Sequence, residues 1–126
     1  LSQGKDVNFL AIGNRVHPAA QACDMLRKQG IDAGIADMRF IKPLDTEIIK
    51  KFAAAGPIIT VEDNSLAAGF GSAVMEYLNG EGIDAKIMRL GIPDQWIEHG
   101  KADLLYEDIC LTPETMAERA YEWMKK

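Results

Sequence analysis

Three stretches of the chain concentrate residue types that bind ligands or move protons. The first is Glu62-Asp63-Asn64-Ser65-Leu66-Ala67-Ala68-Gly69-Phe70-Gly71-Ser72. It follows the most β-like run of the sequence and opens a helix, the place where open α/β sheets usually take ligands. Helix N–H groups and a positive dipole end suit a phosphate or carboxylate. Gly69-Phe70-Gly71 nevertheless lacks the third glycine of a dinucleotide fingerprint, and no Walker lysine follows. Two readings stand: an anion site, or a loop whose glycines meet backbone demands and whose Ser72 caps the helix.

The second stretch is Met38-Arg39-Phe40-Ile41-Lys42-Pro43-Leu44-Asp45. Arg39 at a strand end either holds an anion or pairs with an acidic side chain of a neighbouring loop, Glu62 or Asp63. Both segments leave the same edge of a parallel sheet. The third is Gly91-Ile92-Pro93-Asp94-Gln95-Trp96-Ile97-Glu98-His99-Gly100. Trp96 and Ile97 between Asp94, Glu98 and His99 suit a surface that faces a partner or a cleft. His99 has the titration range of a general base, but no serine or cysteine nucleophile and no orienting partner accompanies it. His17, before Pro18, reads as a capping or surface residue. Two histidines and two cysteines, Cys23 and Cys110, all far apart, make neither a metal set nor a CxxC pair. Both cysteines read as small buried apolar side chains of a reducing compartment.

The elements that position these stretches alternate. Residues 7–12 form an apolar strand. A helix with an Ala19, Ala22, Cys23, Leu26 stripe covers 16–29, with Pro18 in its first turn and Gly30 as its stop. Residues 31–38 make a second strand. Asp45 caps a helix over 46–55, closed by Gly56 and Pro57, and residues 57–61 give the third strand. A helix over 71–79 turns Val74, Met75 and Leu78 inward, and 85–90 is a further strand. A last helix starts at Thr112 with Pro113 at its first position. The alternation predicts a single domain: a three-layer α/β/α sandwich with mainly parallel strands and right-handed crossovers.

With 126 residues, 48% of them hydrophobic and 26% charged, the chain has the size and composition of one globular domain. A net charge of −5 with scattered basic residues argues against nucleic acid. No apolar run approaches the roughly 20 residues of a membrane span. The chain opens on Leu1 rather than Met, so a fragment of a longer protein is expected.

Together, Arg39-Phe40-Ile41-Lys42-Pro43-Leu44-Asp45, Val61-Glu62-Asp63 leading to Ala68-Gly69-Phe70-Gly71-Ser72-Ala73-Val74, and Leu90-Gly91-Ile92-Pro93-Asp94 through Ile97-Glu98-His99-Gly100 resemble the C-terminal domain of the 1-deoxy-D-xylulose 5-phosphate synthases. The wider group holds transketolase and the beta subunit of the pyruvate dehydrogenase decarboxylating component. The chain departs from the family pattern at Ala68 and at Gln95-Trp96. The resemblance implies a five-stranded mixed sheet whose first, antiparallel strand survives only as residues 1–3. It implies a parent enzyme that condenses pyruvate with D-glyceraldehyde 3-phosphate, releases carbon dioxide and feeds isoprenoid, thiamine and pyridoxal synthesis.

Thiamine diphosphate and magnesium would do that chemistry in upstream domains, as carbanion-stabilising cofactors do. This chain carries neither the metal-binding Gly-Asp-Gly element nor the activating glutamate. The resemblance therefore implies no catalytic, cofactor or metal residue here, and no activity for the chain alone. Arg39, Glu62, Gly69, Gly71, Ser72, Asp94, Trp96 and His99 become candidates for contacts with upstream domains, a homodimer partner or the active-site entrance. No nucleic acid or membrane partner is expected, and a bacterial cytoplasm is the expected location. A transketolase or 2-oxoacid dehydrogenase beta subunit would keep the same fold. A stand-alone anion- or nucleotide-binding regulatory module using 69–72 is the reading from another class.

Overall fold

A parallel strand buried on both faces needs an apolar side chain at nearly every position. Val-Asn-Phe-Leu-Ala meets that demand, and β1 (Val7–Ala11) is buried at all five residues. The computed structural model describes residues 2–38, 45–65, 69–92 and 111–125. It places β1 inside a parallel sheet with β2 (Ala33–Asp37), β3 (Ile58–Ser65) and β4 (Ile87–Ile92), in the order β2-β1-β3-β4.

Among the described residues four helices cover this sheet: α1 (Val16–Lys28), α2 (Thr46–Ala55), α3 (Phe70–Gly80) and α4 (Pro113–Met124). The period-2 alternation of β3 sorts them into two layers. Ile59 and Val61 join Phe9, Leu26, Met116 and Ala120 on the α1–α4 side. Ile58 joins Leu10, Phe52, Phe70, Val74 and Leu78 on the α2–α3 side. The result is the expected three-layer α/β/α sandwich. Strand order reverses between β1 and β3, with α1 leaving to one face and α3 to the other. Their carboxyl ends flank the crevice where such sheets place their sites.

Local signals set the element ends. Gly30 takes φ +83°, the left-handed conformation that lets the chain leave α1. The Asp45 carboxylate accepts from the Ile48 N–H at 3.2 Å and caps α2. Thr112 caps α4 through a reciprocal pair with Thr115, and Pro113 stands at the first helical position.

Several elements differ from the sequence expectation. The resemblance implies five strands; the described sheet has four. The antiparallel segment is a single bridge, Ser2 with Ile35, closed by bonds of 2.9 and 2.7 Å. It stays short because Gly4 is already held to β1, where the buried Asn8 amide takes its N–H at 2.7 Å and donates to its C=O at 2.9 Å. Asn64 and Ser65, turn residues by type, continue β3, and Ser65 pairs with Ile92 past an irregularity after Val61. Met75 is 41% exposed rather than inward, because the buried stripe of α3 runs through Phe70, Gly71, Val74 and Leu78. His17 lies exposed in the first turn of α1, whose N-cap position is Arg15, so it is a surface residue and not a cap.

Candidate functional site

Side chains at 58, 60 and 62 of β3 point to one face of the sheet. Ile58 fills core beneath α2 and α3, and the next two positions on that face are polar: Thr60 and Glu62, both fully buried. Arg89 is the register partner of Thr60 on β4. Above them sits the first turn of α3, which has room to approach because residue 71 has no side chain. A Cβ there would stand 2.6 Å from Thr60 Oγ1, 3.0 Å from Glu62 Oε2 and 3.1 Å from Arg89 Cδ.

Glu62 uses that proximity. Its Oε1 accepts from the Phe70 N–H at 2.7 Å and its Oε2 from the Gly71 N–H at 2.6 Å. Helix first turns leave such N–H groups without internal partners, and Gly69, the N-cap of α3, has no side chain to offer them. The carboxylate of the preceding strand supplies both acceptors and lies at the positive end of the helix dipole. Burial pushes the Glu62 carboxyl above its ordinary range, while the Gly71 and Phe70 N–H groups and the Arg89 guanidinium pull it back. Arg89 Nη1 donates to Ser72 Oγ at 3.0 Å, binding β4 to the same helical turn. Ser72 thus engages Arg89 from inside the first turn, and the N-cap position of α3 is Gly69.

A second polar fastening stands on the β1 side of the crevice. The 3-10 turn Gly13–Arg15 follows β1. Arg15, largely buried, donates from Nη1 to the Leu111 carbonyl at 2.8 Å and from Nε to Asn14 Oδ1 at 3.2 Å. It ties the residue before α4's cap to the end of β1.

Of the candidates read from sequence, Glu62, Gly69, Gly71 and Ser72 come together here. Arg39, Asp94, Trp96 and His99 lie outside the described residues, as does Cys110. Among the described residues Arg89 places a positive charge beside Glu62. Arg89, Arg15 and Thr60 were missed by motif reading. The signal for Arg89 was present: a cation in the apolar run Ile87-Met88-Arg89-Leu90 marks a polar spot on one sheet face.

The cluster can fasten backbone. Both oxygens of its carboxylate are already engaged by α3, so the helix N-terminus that would seat an outside phosphate is filled from within. Among the described residues no group of three or more His, Cys, Asp or Glu could hold a metal ion. No helix of the described residues is long and apolar enough to cross a membrane.

Residues 1–116 match the family model described as the transketolase C-terminal domain. The chain is 46% identical over 123 residues to the 1-deoxy-D-xylulose-5-phosphate synthase of Heliobacterium modesticaldum, covering 97% of this chain and 19% of that protein. It is 45% identical over 130 residues to the synthase of Desulfotalea psychrophila, covering 100% of this chain and 20% of that protein. It thus spans about one fifth of the length of the curated relatives it matches. Among solved structures, a split-gene transketolase in an inactive β4 tetramer superposes with a TM-score of 0.88 at 31% identity, covering 98% of this chain and 41% of that one. A transketolase variant of Pichia stipitis superposes at 0.67 with 24% identity over 99% of this chain and 17% of that one, a likeness of fold alone.

Proposed function

The chain belongs to the transketolase C-terminal domain family, which it matches over residues 1–116, and on that premise we propose that it is the C-terminal domain of a 1-deoxy-D-xylulose 5-phosphate synthase. The observation that carries this reading is the 46% identity to such a synthase across 97% of the chain. In the parent enzyme, pyruvate and D-glyceraldehyde 3-phosphate give 1-deoxy-D-xylulose 5-phosphate and carbon dioxide, a transferase step toward isoprenoids in the cytoplasm. Thiamine diphosphate with magnesium would supply the carbanion chemistry.

The described residues do not fit that cofactor. The α3 N–H groups that a diphosphate would use are held by Glu62. The part of this domain is packing: against upstream domains of the same enzyme, in a homodimer, and at the active-site entrance. Glu62 with Gly69 and Gly71 sets the first turn of α3 at the crevice, and Arg39, Ser72, Asp94, Trp96 and His99 are the further contact candidates. The same occupied helix end speaks against a stand-alone anion-binding module. The split-gene transketolase at TM-score 0.88 favours a cousin enzyme as the second reading.

One experiment separates these. The intact gene product is given thiamine diphosphate, magnesium and pyruvate, and carbon dioxide release is followed with and without D-glyceraldehyde 3-phosphate. Release dependent on the aldehyde is expected. Turnover that needs a ketose donor or a lipoyl carrier instead would move the parent to a transketolase or a 2-oxoacid dehydrogenase.

A further inference from the structure

The described sheet ends at β2 on one side and β4 on the other. An edge strand offers outward backbone groups to any other strand, and proteins blunt it with charge, proline or a bulge. β4 carries two such devices: the exposed cation Arg89 and the irregular register against β3 between Val61 and Ser65. β2 has none of its own. It reads Ala33-Gly34-Ile35-Ala36-Asp37, pairs with β1 in unbroken register, and bears its one charge at the last position.

Its cover comes from outside the strand. Residues 2–6 form no regular element, yet each is tied down. Ser2 donates to the Ile35 carbonyl at 2.9 Å and accepts from the Ile35 N–H at 2.7 Å. Its hydroxyl accepts from Arg27 Nη2 at 2.7 Å, and Arg27 Nε donates to the Ala33 carbonyl at 2.9 Å, closing a second outward group of the edge. Gln3 Nε2 reaches the Lys51 carbonyl at 3.4 Å, and Gly4 is held by Asn8. The Lys5 N–H donates to Asp32 Oδ2 at 3.0 Å, and the Asp6 carboxylate accepts from the Asp32 N–H at 2.7 Å.

We propose that residues 2–6 are a strap over the β2 edge, and that the partner it shuts out is a second copy of this chain, pairing β2 on β2. Ile35 turns both its N–H and its C=O outward, and its bridge to Ser2 is antiparallel. A twofold axis at Ile35 would make the same two bonds between two Ile35 residues. Ala33 would then lie opposite Asp37 on either side, so the two carboxylates do not face each other. Ala33, Gly34 and Ala36 are small enough to let the strands approach. With the strap closed, the Ile35 bonds are made within the chain. With it released, the edge is open to a copy of itself.

The test deletes residues 1–3, which opens the edge while Gly4, Lys5 and Asp6 keep their bonds to Asn8 and Asp32. Amide exchange by NMR at low and high protein concentration is read beside sedimentation velocity. In the dilute truncated chain the Ile35 amide should exchange about tenfold faster than in the full chain, the worth of one hydrogen bond. Raising the concentration should slow it again, in step with a shift from monomer to dimer, whereas the Ile35 amide of the full chain should ignore concentration. Ser2→Pro removes only the donor to the Ile35 carbonyl and should give the same response at smaller amplitude; it carries the test if the truncated chain does not fold. An Ile35 amide that stays as fast at high concentration as at low overturns the proposal, whether the variant remains a monomer or associates through another face. An amide as slow in the dilute variant as in the full chain overturns it too, since Ser2 is then not its cover.

Discussion

Gly71→Ala puts one methyl group into the tightest place of the α3–sheet contact. The added carbon would lie 2.6 Å from Thr60 Oγ1, 3.0 Å from Glu62 Oε2 and 3.1 Å from Arg89 Cδ. Ordinary contacts begin near 3.4 Å, so the helix must lift or the strand must yield. The strand has little room to give, because Thr60 and Glu62 are fully buried between β1 and β4. Overpacking of this kind costs about 1–3 kcal/mol. Lifting α3 also lengthens the Phe70 and Gly71 bonds to Glu62, leaving a buried charge worse served, so the upper part of that range applies. For a domain of this size the loss corresponds to a melting temperature lower by roughly 5–15 °C.

Circular dichroism melts of Gly71→Ala beside Gly80→Ala make the measurement specific. Gly80 lies in the same helix with no atom within 4 Å of its absent Cβ, so alanine there should stabilise by about 0.5–1 kcal/mol. Repeating Gly71→Ala in a Thr60→Ala background removes the closest clash and should recover part of the loss, since contacting sites couple by about 0.5–3 kcal/mol. The reasoning is refuted if Gly71→Ala melts with the wild type, or if its cost is the same in both backgrounds.

Two further outcomes follow from the same geometry. Arg15→Met strips the Leu111 carbonyl of its buried donor and should destabilise by about 1–3 kcal/mol, read as a lower urea midpoint, while Arg15→Lys restores only part because one ammonium cannot span Leu111 and Asn14 alike. At Cys23, burial pushes the thiol up to about 12, and its Sγ donates to the Gly34 carbonyl at 3.2 Å; peptide mapping after iodoacetamide at neutral pH should find Cys23 unmodified in the folded chain and modified in urea.

How far the sequence disclosed this structure depends on where each signal resides. The β1 run, the Asp45 and Thr112 caps and the Gly30 stop are local, carried by residues that are neighbours in the chain, and each appears where its type predicts. The end of β3 is different. Glu62-Asp63-Asn64-Ser65 has the composition of a turn, and pairing of Ser65 with Ile92 holds it as strand against that preference. Met75 fails for a similar reason: an apolar side chain on a helix is read as inward, but its azimuth is set by the Phe70, Val74, Leu78 stripe. Arg89 and Arg15 reach Ser72 and Leu111, 17 and 96 residues away in the chain, a separation no short motif encodes.

Glu62 shows what such a distant arrangement decides. Strand, glycine loop and helix N-terminus form the same local pattern whether the helix end receives a ligand phosphate or an internal carboxylate. The outcome turns on one buried side chain at the end of β3. A small residue there would leave the Phe70 and Gly71 N–H groups pointing into an open crevice, and the loop would be an anion site. With glutamate there, both groups are satisfied at 2.7 and 2.6 Å, the positive end of α3 is neutralised from within, and an incoming anion would have to displace a carboxylate covalently fixed to the sheet. The crevice between β1 and β3 thus keeps the position of a ligand site while Glu62 takes the helix end that a ligand anion would use, in keeping with the packing role proposed for the domain.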